Sequence, residues 1–82
     1  MSEALRLDYG RIGSTYRVLD CAADVRTRSK LEVLGLVPSS ELTIISSTKA
    51  GLILKVKESR LAIGFDLAKQ LTVSPMPTRD EQ

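Results

Sequence analysis

Apolar and polar residues alternate along four stretches of the chain and recur at helical spacing along one other. Over Thr15–Cys21 the alternation is that of a strand, with Tyr16, Val18 and Asp20 facing one way and Thr15, Arg17 and Leu19 the other. Between this strand and the next, Asp24 is a good N-cap, because its carboxylate can accept from the free amides of a first helical turn. The helix it starts runs from Val25 to Leu34. At 100° per residue, Ala23, Thr27, Leu31 and Leu34 share its core face, and Arg26, Lys30 and Val33 form the stripe beside it. Gly35 sits where a helix commonly ends in a left-handed residue, and Pro38 keeps the helix from resuming.

Alternation returns over Glu41–Ser47, with Leu42 and Ile44 on one face and Thr43 and Ile45 on the other. After a hairpin loop over Thr48–Gly51, Leu52, Leu54 and Val56 point inward while Ile53, Lys55 and Lys57 point outward. A turn at Glu58–Ser59 leads to a strand over Arg60–Gly64 with Leu61 and Ile63 inward. Asp66 is placed to cap a short helical turn in which Leu67 and Leu71 meet at i, i+4, and Thr72–Ser74 closes the pattern. About five short strands in so few residues favour a small barrel, because closure removes most exposed edges. The helix inserted after the first strand would cover an opening or an open face. The folded domain is therefore expected over residues 13–74, with a weakly structured segment at 1–12 and a disordered tail at 75–82.

A chain of 82 residues holds one domain, and a domain of this size buries about 60–65% of the surface its unfolded chain exposes. The net charge of +2 is too small to argue for nucleic acid by itself. The lone cysteine, Cys21, excludes an internal disulfide and reads as a small core residue. With no apolar run long enough to span a bilayer and no signal-peptide core at the start, the expected location is the cytoplasm. Absence of histidine removes the usual general base and most metal-site chemistry, and the carboxylates are scattered singly. Gly10-Arg11-Ile12-Gly13 precedes a strand and not a helix, so it is a turn and not a phosphate cradle. No catalytic residue, no metal ligand and no cofactor is expected; the chain reads as a binding protein and not as an enzyme.

Two basic features remain: Arg26, Arg28 and Lys30 on the helix, and Lys55, Lys57 and Arg60 on the outer side of the meander. A solvated face explains them most simply. The sharper reading joins them to apolar residues outside the core phase. Val33, Ile45 and Ile53 are then the apolar centre of a groove between helix and meander, with Arg26, Lys30 and Lys55 around it, for a partner to dock. RNA recognition usually adds exposed aromatics for stacking, and only Tyr9 and Tyr16 are candidates.

The run Lys30-Leu31-Glu32-Val33-Leu34-Gly35-Leu36-Val37-Pro38 resembles the helix end of the FeoA family, a basic-Leu-Leu-Glu-Leu-Gly-Leu-x-Pro-Gly pattern. Leu54-Lys55-Val56-Lys57-Glu58-Ser59-Arg60-Leu61-Ala62-Ile63-Gly64 resembles its hairpin, and Asp66 to Val73 its short helix and closing strand. Order and spacing agree over roughly residues 13 to 74. Glu32-Val33 reverses the family's order, Ser39 stands where a glycine usually follows the proline, and Glu58 where a glycine usually makes the tight turn. The resemblance implies an SH3-like barrel, a cytoplasmic accessory role in bacterial ferrous iron uptake, and partnership with the FeoB membrane GTPase and ferrous permease. Contact with the membrane would then come only through that partner. The alternatives are a small-barrel nucleic-acid-binding protein and an oligomer joined through barrel edges.

Overall fold

The computed structural model describes residues 4–21 and 24–76. The elements are β1 (Leu5–Arg6), a 3-10 turn (Leu7–Tyr9), β2 (Thr15–Cys21), α1 (Val25–Val33), β3 (Glu41–Ser47), β4 (Gly51–Val56), β5 (Ser59–Gly64), α2 (Phe65–Ala68) and β6 (Leu71–Pro75). All strand pairings are antiparallel, in a six-stranded sheet of order β1-β6-β2-β3-β4-β5. The architecture is the small SH3-like fold that the resemblance implies. One apolar cluster fills it, with Leu7, Val18, Leu31, Leu42, Ile44, Leu54, Leu71 and Val73 almost wholly withdrawn from solvent.

The ends of the sheet, β1 and β5, do not pair with each other. The seam between them is spanned by α2, which packs on β4, β5 and the 3-10 turn. Ala68 of α2 and Leu7 of that turn are both fully buried there. Of the weakly structured segment expected over 1–12, residues 1–3 lie outside the described residues, and the remainder is ordered where Leu5 and Arg6 pair with Val73 and Thr72. The segment is anchored by one buried side chain, too sparse a signal to show as periodicity. Arg6 reinforces it by donating to both Asp8 carboxylate oxygens, at 3.1 and 2.9 Å, while its guanidinium lies 4.5 Å from the centre of the Tyr9 ring.

Two bulges explain where strict alternation fails. In β2 the register against β6 shifts between Val18 and Asp20, so Leu19 is the extra residue. Side-chain parity flips there: Asp20 is exposed and Cys21, not Asp20, joins Tyr16 and Val18 in the core. In β3 the shift against β4 falls between Ile44 and Ser46, so Ile45 is unpaired and Ser46 opposes Ile53. In β4, where pairing is regular, Leu52, Leu54 and Val56 are buried and Lys55 is exposed, as the alternation requires. Gly51 opposes Gly64, and a Cβ on Gly51 would overlap the Ile63 carbonyl, so this close strand approach admits only glycine.

Four further expectations need correcting. Leu61 is only half-buried, because it sits on the edge strand at the seam. The N-cap of α2 is Gly64 and not Asp66, which lies inside the first turn. Leu71 begins β6, so it reaches the core from a strand and not from the helical turn shared with Leu67. At the other end of that strand Pro75 still pairs, with Tyr16, so regular structure runs one residue past the expected boundary. The rest of the expected tail, 77–82, and Ala23 of the expected helix face lie outside the described residues.

Ser39 has φ 80°, a left-handed conformation that side chains other than glycine's adopt at a disadvantage. It is the third residue of the turn Val37-Pro38-Ser39-Ser40, closed by the Ser40 N–H donating to the Val37 carbonyl at 2.9 Å, with proline second. The Ser39 N–H also donates to the Val18 carbonyl at 2.8 Å, which ties the turn to β2. Ser39→Gly is therefore expected to stabilise the fold by roughly 0.5–1 kcal/mol, the strain relieved less the added freedom of the unfolded chain. Leu54→Ala, at the fully buried centre of β4, is expected to remove about 2–5 kcal/mol. Urea unfolding checks both: an unchanged midpoint for Ser39→Gly, or a loss below 1 kcal/mol for Leu54→Ala, contradicts these assignments.

Candidate partner-binding surface

α1 stands on the barrel by its C-terminal end. It closes in a Schellman motif: the Leu36 N–H donates to the Leu31 carbonyl at 2.8 Å and the Gly35 N–H to the Glu32 carbonyl at 3.0 Å. Gly35 supplies the left-handed residue the motif requires, at φ 89°. The motif brings Leu31 and Leu36 together, and both are buried in the core. Among the described residues of the helix, Leu31 alone is buried. Leu34, expected on the core face, is 36% exposed, because the chain turns inward only after it, at Leu36.

At the other end of α1, the Asp24 carboxylate accepts the Thr27 N–H at 2.9 Å, as the cap reading expects. That hydrogen bond holds the Asp24 carboxyl below its ordinary range, aided by the Thr27 hydroxyl and the charge of Lys30 and opposed by slight desolvation.

The six residues expected to line one groove divide into two groups. Arg26, Lys30 and Val33 lie along one stripe of α1, all exposed, with Val33 at 86%. Ile45, Ile53 and Lys55 lie on the β3–β4 part of the sheet, Ile45 and Ile53 half-buried and Lys55 exposed. α1 packs only sparsely on β3 and β4. Its end meets β4 at Val56, where a Cβ on Gly35 would come within 3.6 Å of the Val56 side chain. Ile53 is three residues back along that strand, about 10 Å at strand rise. The recess at the Val56 end is lined by Pro38, Ser39, Ser40, Glu41, Val56 and Lys57, and by none of the six.

The structure shows further apolar exposure outside the expected groove. Val25 at the start of α1 is 75% exposed and Leu19, the bulge residue of β2, 41%. It also sets Lys55 directly opposite Arg60 across β4 and β5. Sequence alone shows both cations but not their register. Tyr16 is buried, with its hydroxyl accepting the Arg11 N–H at 2.7 Å, so it offers no stacking platform, whereas Tyr9 is exposed with Arg6 over one face of its ring. Among the described residues no three His, Cys, Asp or Glu side chains cluster.

A family model described as the FeoA domain matches residues 5–75. The crystal structure of an iron uptake regulatory protein, FeoA, superposes with a TM-score of 0.84 at 27% identity, covering 90% of this chain and 100% of that one. An FeoA-like protein from Clostridium acetobutylicum superposes at 0.83 with 19% identity, over 100% of this chain and 98% of its own. A manganese-dependent transcriptional repressor superposes at 0.84 with 20% identity, over 93% of this chain and 44% of its own. Those last two likenesses are of fold. No curated protein sequence matches.

The cap makes α1 sensitive to acid. A carboxyl held low in the folded state stabilises above its unfolded value, near pH 3.9, and the contribution is lost as pH falls through the lowered folded value. Amide protection in the first turn of α1 is expected to persist at pH 5 and to decline below about pH 4. Asp24→Asn, which keeps an acceptor oxygen, should remove that decline. Equal acid sensitivity in both proteins would show that another group controls the helix start.

Proposed function

The chain belongs to the FeoA domain family, and we propose that it is a non-catalytic accessory protein of bacterial ferrous iron uptake that binds and modulates the cytosolic part of an FeoB-type membrane transporter. Membership ties the chain to ferrous iron uptake, and the family is one of small accessory or regulatory domains and not a known enzyme family. The observation that carries the reading is the extent of the match. Residues 5–75 take in all six strands and both helices, and this chain spans the whole of an FeoA crystal structure. A cytoplasmic location follows from the proposed partner. No helix among the described residues is long and apolar enough to cross a membrane, so the proposed contact with the membrane runs through the transporter.

The stripe on α1 suits this role better than the sheet face. Val33 is the most exposed large apolar side chain described, and Arg26 and Lys30 precede it on the same stripe. An apolar centre with a charged rim is a common interface plan. The helix is held at one end by Leu31 and Leu36, so a partner can cover the stripe without disturbing the core.

A charge at Val33 lies outside the core, so Val33→Asp should fold normally. It is expected to weaken binding to the soluble cytosolic domain of an FeoB-type transporter by about tenfold or more. Lys30→Glu should act mainly by slowing association, and most strongly at low salt. Calorimetry for affinity, stopped-flow for rate and circular dichroism for folding make the comparison. Folded variants that bind like wild type would remove α1 as the interface, and no binding by wild type would overturn the transporter reading.

A further inference from the structure

β5 ends the sheet. It pairs with β4 along its whole length, from Gly51 opposite Gly64 to Val56 opposite Ser59, and, among the described residues, with no other strand. Alternate N–H and C=O groups of Ser59–Gly64 therefore point away from the sheet with no strand to receive them. Such an edge is an adhesive feature, and its flanks carry two unmatched surfaces. On the inner side, the apolar residues that pack against the core without being buried are Leu5, Leu61, Phe65 and Leu67. These belong to β1, β5 and α2, the elements that border the open seam. On the outer side, Arg60 stands directly opposite Lys55, and both are exposed. Like charges facing each other across a ladder are unfavourable. Among the described residues the ion pairs are Arg6 with Asp8 and Arg17 with Glu41, so neither Lys55 nor Arg60 is neutralised by a carboxylate.

We propose that the free edge of β5 is a strand-addition site for an extended acidic segment of a partner protein. The main chain of that segment continues the sheet beyond Ser59–Gly64, its apolar side chains cover Leu61 at the seam, and its carboxylates meet Arg60 and Lys55. Strand addition draws affinity from main-chain hydrogen bonds and specificity from alternate side chains. That combination selects a polypeptide: nucleic acid and lipid headgroups satisfy the cations but bring no amide ladder to the edge. A second copy of this chain brings the ladder but not the charge, because Ser59–Gly64 holds no acidic residue and self-pairing adds a second Arg60. The site is separate from the α1 stripe, and it stands whether or not the transporter is the α1 partner.

The test uses the full chain and a synthetic peptide of alternating valine and glutamate. Two twins accompany it, one with lysine in place of glutamate and one N-methylated at alternate amides. The acidic peptide is expected to slow exchange at alternate amides of Ser59–Gly64, and both twins to bind at least about tenfold more weakly. Arg60→Glu and Lys55→Glu, both exposed substitutions, should each weaken the acidic peptide by a similar factor, while Val33→Asp leaves it unchanged. Equal binding of the N-methylated or the lysine twin overturns the proposal, as does an absence of protection in β5 at millimolar peptide. Protection of the same amides by the chain alone at high concentration would assign the edge to self-pairing. Shifts at Lys55 and Arg60 with RNA or anionic vesicles, and no effect of the peptide, would assign the cations to those ligands. Either result overturns it too.

Discussion

A sheet of six short strands bent around one apolar cluster must either join its two ends or cover the gap, and here β1 and β5 are not joined. The rest of the structure is arranged around that gap. β1 is two residues long, too short to offer β5 a full partner, so the seam is spanned by α2 and by the 3-10 turn that carries Leu7. Ala68 and Leu7 are buried completely where these meet, whereas Leu5, Leu61, Phe65 and Leu67 are covered only in part. In a domain of this size, where the surface-to-volume ratio limits the core, the small cap secures the interior and leaves the free edge of β5 and its apolar border to solvent.

The helix follows a different logic. α1 contributes to the barrel mainly through Leu31 and, just beyond its end, Leu36, locked together by the hydrogen bonds around Gly35. A helix anchored by one end keeps most of its surface for other uses, and its described residues outside that anchor are polar, charged or exposed valine. The family relationship gives this a meaning that energetics alone do not. A domain with a role in ferrous iron uptake presents a helix stripe to the outside while its barrel stays intact.

Much of this was legible in the sequence, for physical reasons that differ by element. β4 is regular, so Leu52, Leu54 and Val56 announced their burial by strict alternation. The cap at Asp24 and the stop at Gly35 follow from local backbone chemistry and were legible for that reason. Bulges were not, because one inserted residue reverses parity without leaving a compositional mark; Asp20 falls on the face opposite to the expected one for that reason. The start of the chain was missed because its structure depends on a distant strand, β6, and on the single side chain of Leu7. The exposure of Arg26, Lys30, Val33 and Lys55 follows from their positions in the pattern, but how the helix residues sit relative to those of the sheet does not. Whether Val33 and Ile53 share a groove depends on where α1 sits over the sheet, which no period in the sequence encodes. The opposition of Lys55 and Arg60 is hidden for a simpler reason: it needs the two-residue turn at Lys57-Glu58, and the sequence pattern puts that turn one residue later, at Glu58–Ser59.

The central claim is that this FeoA-family chain serves ferrous iron uptake by binding and not by chemistry of its own. Radioactive ferrous iron uptake, measured in a bacterium that lacks its FeoA-type gene but retains its FeoB-type transporter, addresses this most directly. Complementation with the wild-type chain is expected to restore uptake, and complementation with folded Val33→Asp at equal abundance is expected to leave it near the deletion level. Uptake that is unchanged by the wild-type chain would contradict the account.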